Sequence, residues 1–196
     1  PTEEEQYQGY RRVLEKMEGR PVVFRTLDVG GDKALSYFPV DHGNNPFLGL
    51  RALRFSLRNP AIFKQQLRAL LRAAHGNPQA KVMFPMVASL DEFQAARNLA
   101  ETCRRELEQE GVPNRMPELG VMIELPSAVM MADELAAEAD FLSIGSNDLI
   151  QYLLAVDRTN DEVADLYSPL HPGVLRLLAH VIGAGERHGV PVAVCG

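Results

Sequence analysis

The chain has 196 residues, of which 46% are hydrophobic, and its formal net charge is −6 at pH 7. This length and composition suffice for a single globular domain with a core of ordinary size. The charge is spread along the chain without an acidic or basic block, which argues against nucleic acid or a membrane surface as the main partner.

Apolar runs alternate with segments of helical periodicity along the whole chain. This alternation is typical of βαβ units and a parallel sheet. A complete (β/α)8 barrel usually needs about 250 residues, so the chain is short of one. The sequence predicts an α/β fold with strands at Pro21–Asp28, Lys81–Met86, Leu119–Glu124, Phe141–Gly145 and Val190–Cys195.

Start signals and spacing predict the helices between these strands. Prolines favour the first turn of a helix, and Ser89 with Glu92 has the spacing of a capping box. A longer polar connection separates Gly145 from Pro172, and such loops commonly carry function. We expect helices at Glu3–Met17, Ala61–Ala74, from Ser89 to Gly111, from Pro126 to about Glu138, at Leu149–Ala155 and from Pro172 through Leu175, Leu178, Val181 and Ile182.

Polar side chains stand at or just past the carboxyl ends of the predicted strands. In a parallel sheet these ends share one mouth, where barrels and open α/β sheets bind their ligands. The sequence therefore predicts that a guanidinium, carboxylates, an amide and a thiol meet there. The side chains concerned are Arg25, Asp28, Glu124, Asn147, Asp148 and Cys195.

Two carboxylates follow neighbouring strands. Glu124 ends one strand and Asp148 follows the next, so together they could hold a hard cation such as Mg²⁺ through oxygen ligands. Either acid could instead cap a helix or pair with an arginine, and Asp148 is well placed to cap. Spacing alone does not decide between these interpretations.

Several arginines are candidates for binding an anion. Arg25 interrupts an apolar strand and needs an anionic partner, from the protein or from a ligand. Arg51, Arg54 and Arg158 lie in or beside glycine-rich or polar connections, although a lone arginine is more often a solvated charge. The turn at 30–33, Gly-Gly-Asp-Lys, could present amides to phosphate but lacks the P-loop spacing.

The two cysteines differ in position. Cys103 lies on the buried stripe of a predicted helix and is interpreted as inert packing. Cys195 ends a strand, where a thiol could act on a substrate if it is accessible. Neither has disulfide or zinc spacing, and no apolar stretch is long enough to cross a bilayer, so we expect no membrane contact and a cytoplasmic location.

Seven segments carry a more specific resemblance, and they occur in order along essentially the whole chain. The chain resembles Enzyme I, the phosphoenolpyruvate-protein phosphotransferase of the bacterial sugar phosphotransferase system, including its nitrogen-linked paralogue. The segments are Pro-Thr-Glu-Glu-Glu-Gln at 1–6, Arg-Thr-Leu-Asp-Val-Gly-Gly-Asp-Lys at 25–33, Asn-Pro-Phe-Leu-Gly-Leu-Arg at 45–51, Met-Phe-Pro-Met at 83–86, Gly-Ser-Asn-Asp-Leu-Ile-Gln-Tyr at 145–152, Ala-Val-Asp-Arg at 155–158 and the final Cys-Gly.

The resemblance implies a phosphoenolpyruvate-binding (β/α)8 barrel and a role for each candidate residue. It implies that Arg25, Arg51 and Arg158 bind the substrate phosphate, that Asn147 and Asp148 contact the substrate, and that Cys195 is the catalytic acid that protonates the enolate carbon as pyruvate forms. It also implies that Glu124 and Asp148 hold Mg²⁺. A phosphocarrier protein as partner of the full-length enzyme and a homodimer follow from the same resemblance.

The chain lacks parts of that family's pattern. Nothing matches a further substrate arginine upstream of the first motif, the last barrel strand, or the phosphorylated histidine of a separate amino-terminal domain. We therefore expect residues 1–196 to be a single domain, the central five or so strand–helix units of the barrel, and to be inactive alone. The alternatives are a domain of the pyruvate phosphate dikinase or phosphoenolpyruvate synthase type, a Mg²⁺-dependent lyase or aldolase, and a non-catalytic dimerisation module.

Overall fold

A computed structural model of the chain describes residues 1–30 and 45–196. These residues form two compact units. Unit 1 comprises Pro1–Phe84 and Gln94–Leu119, and unit 2 comprises Pro85–Phe93 and Gly120–Gly196. That residues 1–196 form one domain of a larger barrel stays a prediction.

Unit 1 contains two parallel strands and the helices that flank them. The strands are β1 (Val22–Arg25) and β2 (Ala80–Phe84), and they pair with Val22 opposite Ala80 and Arg25 opposite Met83. The helices are α1 (Glu3–Lys16), α2 (Leu53–Arg58), α3 (Pro60–Ala74) and most of α4 (Leu90–Gln109), with a short 3-10 helix at Pro46–Leu48.

Local signals explain how α1 and α3 begin and pack. Thr2 and Glu5 form a capping box at α1, with the Glu5 amide donating to Thr2 Oγ1 over 3.2 Å. Pro60 starts α3, which buries an apolar face of Phe63, Leu67, Leu70 and Leu71. Glu3 of α1 accepts from Arg68 and Arg72 of α3 at 2.6 and 2.7 Å, so ion pairs also join the two helices.

Unit 2 contains parallel strands β3 (Glu118–Ile123, mainly in this unit), β4 (Phe141–Gly145) and β5 (Val192–Cys195). Ile123 lies opposite Ile144, and Gly145 lies opposite Cys195. Four helices complete the unit, namely α5 (Pro126–Met130), α6 (Ala132–Glu138), α7 (Ser146–Leu154) and α8 (Pro172–His188), with a 3-10 helix at Ala164–Leu166.

The helices after β3 and before β5 show how far the predicted pattern holds. The single helix expected from Pro126 to Glu138 is broken at Met131, whose φ of −107° and ψ of 24° leave the helical region. Of the apolar residues named for α8, Val181 is buried, whereas Leu175 and Ile182 are 47% and 40% exposed. The helix also buries Val174, Ala184 and Gly185, because its small residues allow close packing.

Gly185 and Gly183 of α8 provide a matched test of that packing. A Cβ at Gly185 would lie 2.8 Å from the Val190 carbonyl oxygen and would overlap the Val192 side chain, whereas at Gly183 it would meet only the movable Arg187 at 3.2 Å. Alanine favours a helix over glycine by about 1 kcal/mol at both positions. We expect Gly185→Ala to destabilise by about 1–3 kcal/mol through overpacking and Gly183→Ala to be neutral or stabilising. Urea unfolding of both variants measures this, and equal effects would contradict it.

In the part of the chain that is described, no helix is both long and apolar enough to cross a membrane.

Candidate functional site

In unit 1 a buried carboxylate links two of the candidate arginines. Arg51 donates from Nε to Asp28 Oδ1 over 3.1 Å and from Nη2 to Asp28 Oδ2 over 3.4 Å, with side chains only 1% and 3% exposed. Arg25 is different, because its Nη2 lies 3.7 Å from Asp28 Oδ2 while its side chain is 42% exposed. The anionic partner expected for Arg25 thus exists within the protein. The expectation that Arg51 is more often solvated is wrong.

The backbone around Gly30 brings Arg51 to the end of β1. Gly30 has a φ of +102°, and a Cβ there would lie 3.0 Å from Arg51 Cα. The amide of Ala52 donates to the Val29 carbonyl over 2.9 Å, which ties the two segments together. Only glycine combines this conformation with such a close approach. Gly31, Asp32 and Lys33 of the expected phosphate turn lie outside the described residues.

Unit 1 also contains a cavity of about 710 Å³ between α1, β1, α2 and α3. Its lining includes Tyr10, Phe24, Phe55 and Phe63, but no lysine, arginine or candidate site residue. The cavity has no arginine or lysine to neutralise an anionic substrate, so it does not fit the predicted chemistry.

In unit 2 Glu124 is held just past the end of β3. It is 2% exposed, and its Oε1 accepts from the Met86 amide over 2.6 Å. Met86 has a φ of +55°, an uncommon conformation for a residue with a side chain. Glu124 Oε2 lies against the backbone of Gly145, where a Cβ would be 2.8 Å away. A side chain at position 145 would therefore displace this carboxylate.

Asp148 lies in the first turn of α7 and is 6% exposed. Its Oδ1 accepts from Arg158 Nη1 over 3.2 Å, and the Arg158 amide donates to the buried Gln151 Oε1 over 3.2 Å. The interpretation that Asp148 pairs with an arginine therefore holds, whereas the interpretation that it caps the helix does not, because the N-cap residue of α7 is Gly145 and no side chain caps this helix. Arg158 is fixed at its side chain and at its backbone.

Asn147 is exposed at the start of α7, next to Tyr167. The Tyr167 hydroxyl donates to the Asn147 carbonyl oxygen over 3.3 Å and lies 3.4 Å from Oδ1. Burial raises the pKa of Tyr167, with the charge of Asp148 adding to the rise and that of Arg158 opposing it. Tyr167 therefore remains a neutral donor at physiological pH and can orient Asn147.

Cys195 ends β5 and is exposed, whereas Cys103 is fully buried. The Cys195 Sγ lies 3.5 Å from Ser143 Oγ, and Ser146 Oγ donates to the Cys195 carbonyl over 3.2 Å. Burial raises the pKa of Cys103 to about 11, which agrees with inert packing. Of the two thiols, Cys195 is the accessible one.

The metal ion expected at Glu124 and Asp148 would have few protein ligands. No group of three or more His, Cys, Asp or Glu side chains arranged for a metal occurs in residues 1–30 and 45–196. Mg²⁺, however, is usually bound by one or two carboxylates together with water and substrate phosphate. Glu124 lies just past β3, and Asp148 lies in the first turn of α7 after the neighbouring strand β4; that they share a Mg²⁺ ion stays a prediction.

Sequence reasoning missed Ser143, Gln151 and Tyr167 as neighbours of the candidate residues. Ser143 did carry a signal, as the polar residue within the apolar run Phe-Leu-Ser-Ile. Gln151 and Tyr167 carry none, because their contacts depend on the path of the connection after β4. The convergence of all candidate residues on one mouth stays a prediction.

Comparison with known proteins decides the family. A family model described as PEP-utilising enzyme, PEP-binding domain, where PEP is phosphoenolpyruvate, matches residues 1–196. The chain belongs to this family. Membership agrees with the resemblance carried by the sequence motifs, which also indicate a PEP-binding domain.

Three curated relatives of this PEP-binding domain share a name. The chain is 52% identical over 200 residues to the phosphoenolpyruvate-protein phosphotransferase of Enterococcus faecalis, 52% over 198 residues to that of Geobacillus stearothermophilus and 50% over 197 residues to that of Mycoplasma capricolum. Each match includes all of this chain and 34% of the relative. The chain thus spans about a third of the length of these relatives.

A solved structure supports the fold of the PEP-binding domain. The crystal structure of a citrate lyase from Burkholderia xenovorans aligns with a TM-score of 0.51 at 21% identity, covering 68% of this chain and 40% of the lyase. At this identity the likeness concerns the fold alone. With the parallel strand pairs, it confirms the predicted class, α/β strand–helix units of the (β/α) barrel type.

Proposed function

We propose that this chain is the phosphoenolpyruvate-binding part of a phosphoenolpyruvate-protein phosphotransferase. In the whole enzyme, phosphate passes from phosphoenolpyruvate to a protein histidine and pyruvate is released. The observation that carries the proposal is the 50–52% identity, along all of this chain, to proteins of that name. Those names favour the phosphotransferase over the dikinase, lyase and non-catalytic alternatives.

In this proposal Arg25, Arg51 and Arg158 neutralise the substrate phosphate and Asn147 orients the substrate. Phosphoryl transfer depends mainly on positioning and charge neutralisation, which fixed guanidinium groups supply. Arg25 is the more exposed arginine of the pair at Asp28, and so the better placed to reach an anion. Arg51 is held by Asp28 and contributes a positive charge in a fixed position.

We assign Glu124 and Asp148 to a Mg²⁺ ion that would neutralise phosphate charge when bound. Glu124 is oriented by the Met86 amide and Asp148 by Arg158, so neither carboxylate has to be ordered on binding. The absence of a side chain at Gly145 leaves room beside Glu124 Oε2. These contacts support an assignment of pre-organised ligands.

Cys195 would supply the proton that completes pyruvate. The bond between phosphorus and the bridging oxygen breaks, the phosphoryl group goes to the histidine, and the oxygen keeps the electron pair as an enolate. The enolate carbon then takes the proton from Cys195 Sγ, which becomes a thiolate. The exposed position of this thiol supports the role. Homodimerisation, a phosphocarrier partner and a cytoplasmic location belong to the same proposal.

Calorimetric titration of phosphoenolpyruvate with Mg²⁺ into the chain tests the binding function. We expect binding by the wild type and affinity at least about tenfold lower in Arg25→Ala, since a charge-assisted contact to phosphate is lost. Arg20→Ala removes the same charge from an exposed arginine before β1 and is expected to bind normally. Absence of binding by the folded wild type, or an equal loss in both variants, contradicts the proposal.

A further inference from the structure

Ser143 lies on the strand next to that of Cys195 and places its hydroxyl beside the Cys195 thiol. Ser143 of β4 is paired in register with Ala193 of β5, and its Oγ lies 3.5 Å from Cys195 Sγ, a distance at which either atom can donate. Ser143 is only 7% exposed, and Leu142 and Ile144 beside it are fully buried. A hydroxyl in such surroundings needs a hydrogen-bond partner, and the thiol is the partner observed.

Ser143 can serve both protonation states of Cys195. A serine hydroxyl is a donor and an acceptor that rotates to suit its neighbour. While the cysteine carries its proton, Ser143 Oγ can accept from S–H. When the sulfur is a thiolate, the hydroxyl can turn and donate to it, and hydrogen bonding to a charged form favours that form.

A second serine holds the backbone rather than the thiol. Ser146 Oγ donates to the Cys195 carbonyl over 3.2 Å, and a Cβ on Gly196 would collide with Ser146 Oγ. The end of β5 is therefore packed against the start of α7. Because the Ser146 hydroxyl is directed to the backbone of Cys195, this residue is a matched control for Ser143.

We propose that Ser143 is the positioning residue of the Cys195 thiol, orienting S–H before proton transfer and stabilising the thiolate afterwards. The proposal rests on the proposed function, in which Cys195 donates to the enolate carbon. In that step the S–H bond breaks and a C–H bond forms, while Ser143 keeps its own proton and only rotates. Its contribution is a hydrogen bond that strengthens as negative charge develops on sulfur.

The test is the rate at which iodoacetamide alkylates Cys195 in the 196-residue chain at a fixed pH near 8, followed by peptide mass spectrometry. Alkylation proceeds through the thiolate, which the Ser143 hydroxyl stabilises by a hydrogen bond, so loss of that bond slows the reaction. We expect Ser143→Ala to react about threefold more slowly than wild type. Ser146→Ala should react at the wild-type rate.

A second pair of variants separates the hydroxyl from packing. Ser143→Thr and Ser143→Val have nearly the same volume and differ in the hydroxyl, so we expect Thr to react at close to the wild-type rate and Val about threefold more slowly. Equal rates for Thr and Val, or faster alkylation in folded Ser143→Ala, would overturn the proposal. Because alkylation needs no phosphoenolpyruvate, this outcome is separate from a failure of substrate binding, which the titration reports.

Discussion

Asp28→Ala is expected to lower the free energy of unfolding by about 3–5 kcal/mol, because it removes a carboxylate that accepts two hydrogen bonds from a buried guanidinium. Arg51 is 1% exposed and cannot be solvated in place once the Asp28 carboxylate is gone. Breaking a buried ion pair from one side is costly for this reason, even where the intact pair contributes little net stability. Urea unfolding monitored by circular dichroism gives the free energy directly.

Asp133→Ala is the control variant, because it removes the carboxylate of an exposed ion pair rather than of a buried one. Asp133 accepts from Arg187 at 2.8 Å, with the two side chains 42% and 54% exposed, so its loss is expected to cost less than about 1 kcal/mol. The double variant Asp28→Ala/Arg51→Leu should recover part of the loss, since it removes the buried charge as well. If Asp28→Ala is no more destabilising than Asp133→Ala, the Arg51 environment described above is wrong.

The ion cluster at Asp28 has a consequence for anion binding. Asp28 contacts both guanidinium groups, so it lowers the cost of bringing Arg25 and Arg51 together. The buried Asp28–Arg51 pair is held in place, and the more exposed Arg25 is accessible to a ligand.

The strands could be predicted from the sequence because each is a short apolar run bounded by breakers. The prediction for β4 has the observed limits, and the limits of the other strands agree to within about three residues at each end. The Ser89–Glu92 capping box likewise located the start of α4, and prolines located the starts of α5 and α8. These features are local, and local chemistry is visible in a sequence.

Features that depend on tertiary packing could not be predicted. Helix α2 has six residues, and Ala52 before it has a φ of 51° and makes no side-chain cap. No glycine or proline marks the break at Met131, and the buried face of α8 depends on its close packing rather than on the hydrophobicity of leucines. Each reflects the neighbours that the chain acquires on folding.

The candidate site shows the same division. The strand-end pattern and motifs indicated which side chains carry the chemistry, but not which residues hold those side chains in place. Arg51 illustrates this best, because its sequence surroundings suggest a solvated loop residue while the fold buries it on Asp28. Met86, which holds Glu124 through a backbone amide, lies 38 residues away from it in the chain.

Glu124→Gln is expected to abolish the Mg²⁺ dependence of phosphoenolpyruvate binding while the fold remains stable. Glutamine keeps an oxygen for the Met86 amide but removes the negative charge that Mg²⁺ requires. We expect affinity in the presence of Mg²⁺ to fall at least about tenfold, to the value that the wild type shows without the metal. Titrations with and without Mg²⁺ measure the difference. Glu134→Gln, an exposed acid on α6, is the charge-matched control and should behave as wild type.

Glu124→Ala separates the metal role from the structural one. It removes both the charge and the acceptor of the buried Met86 amide, so it should add a loss of about 1–3 kcal/mol in stability that the glutamine variant does not show. Equal stability of the two variants would mean that the Met86 contact is dispensable. A glutamine variant whose affinity still responds to Mg²⁺ as the wild type does would remove Glu124 from the metal site and leave it a purely structural acid, buried because it orders the loop after β2.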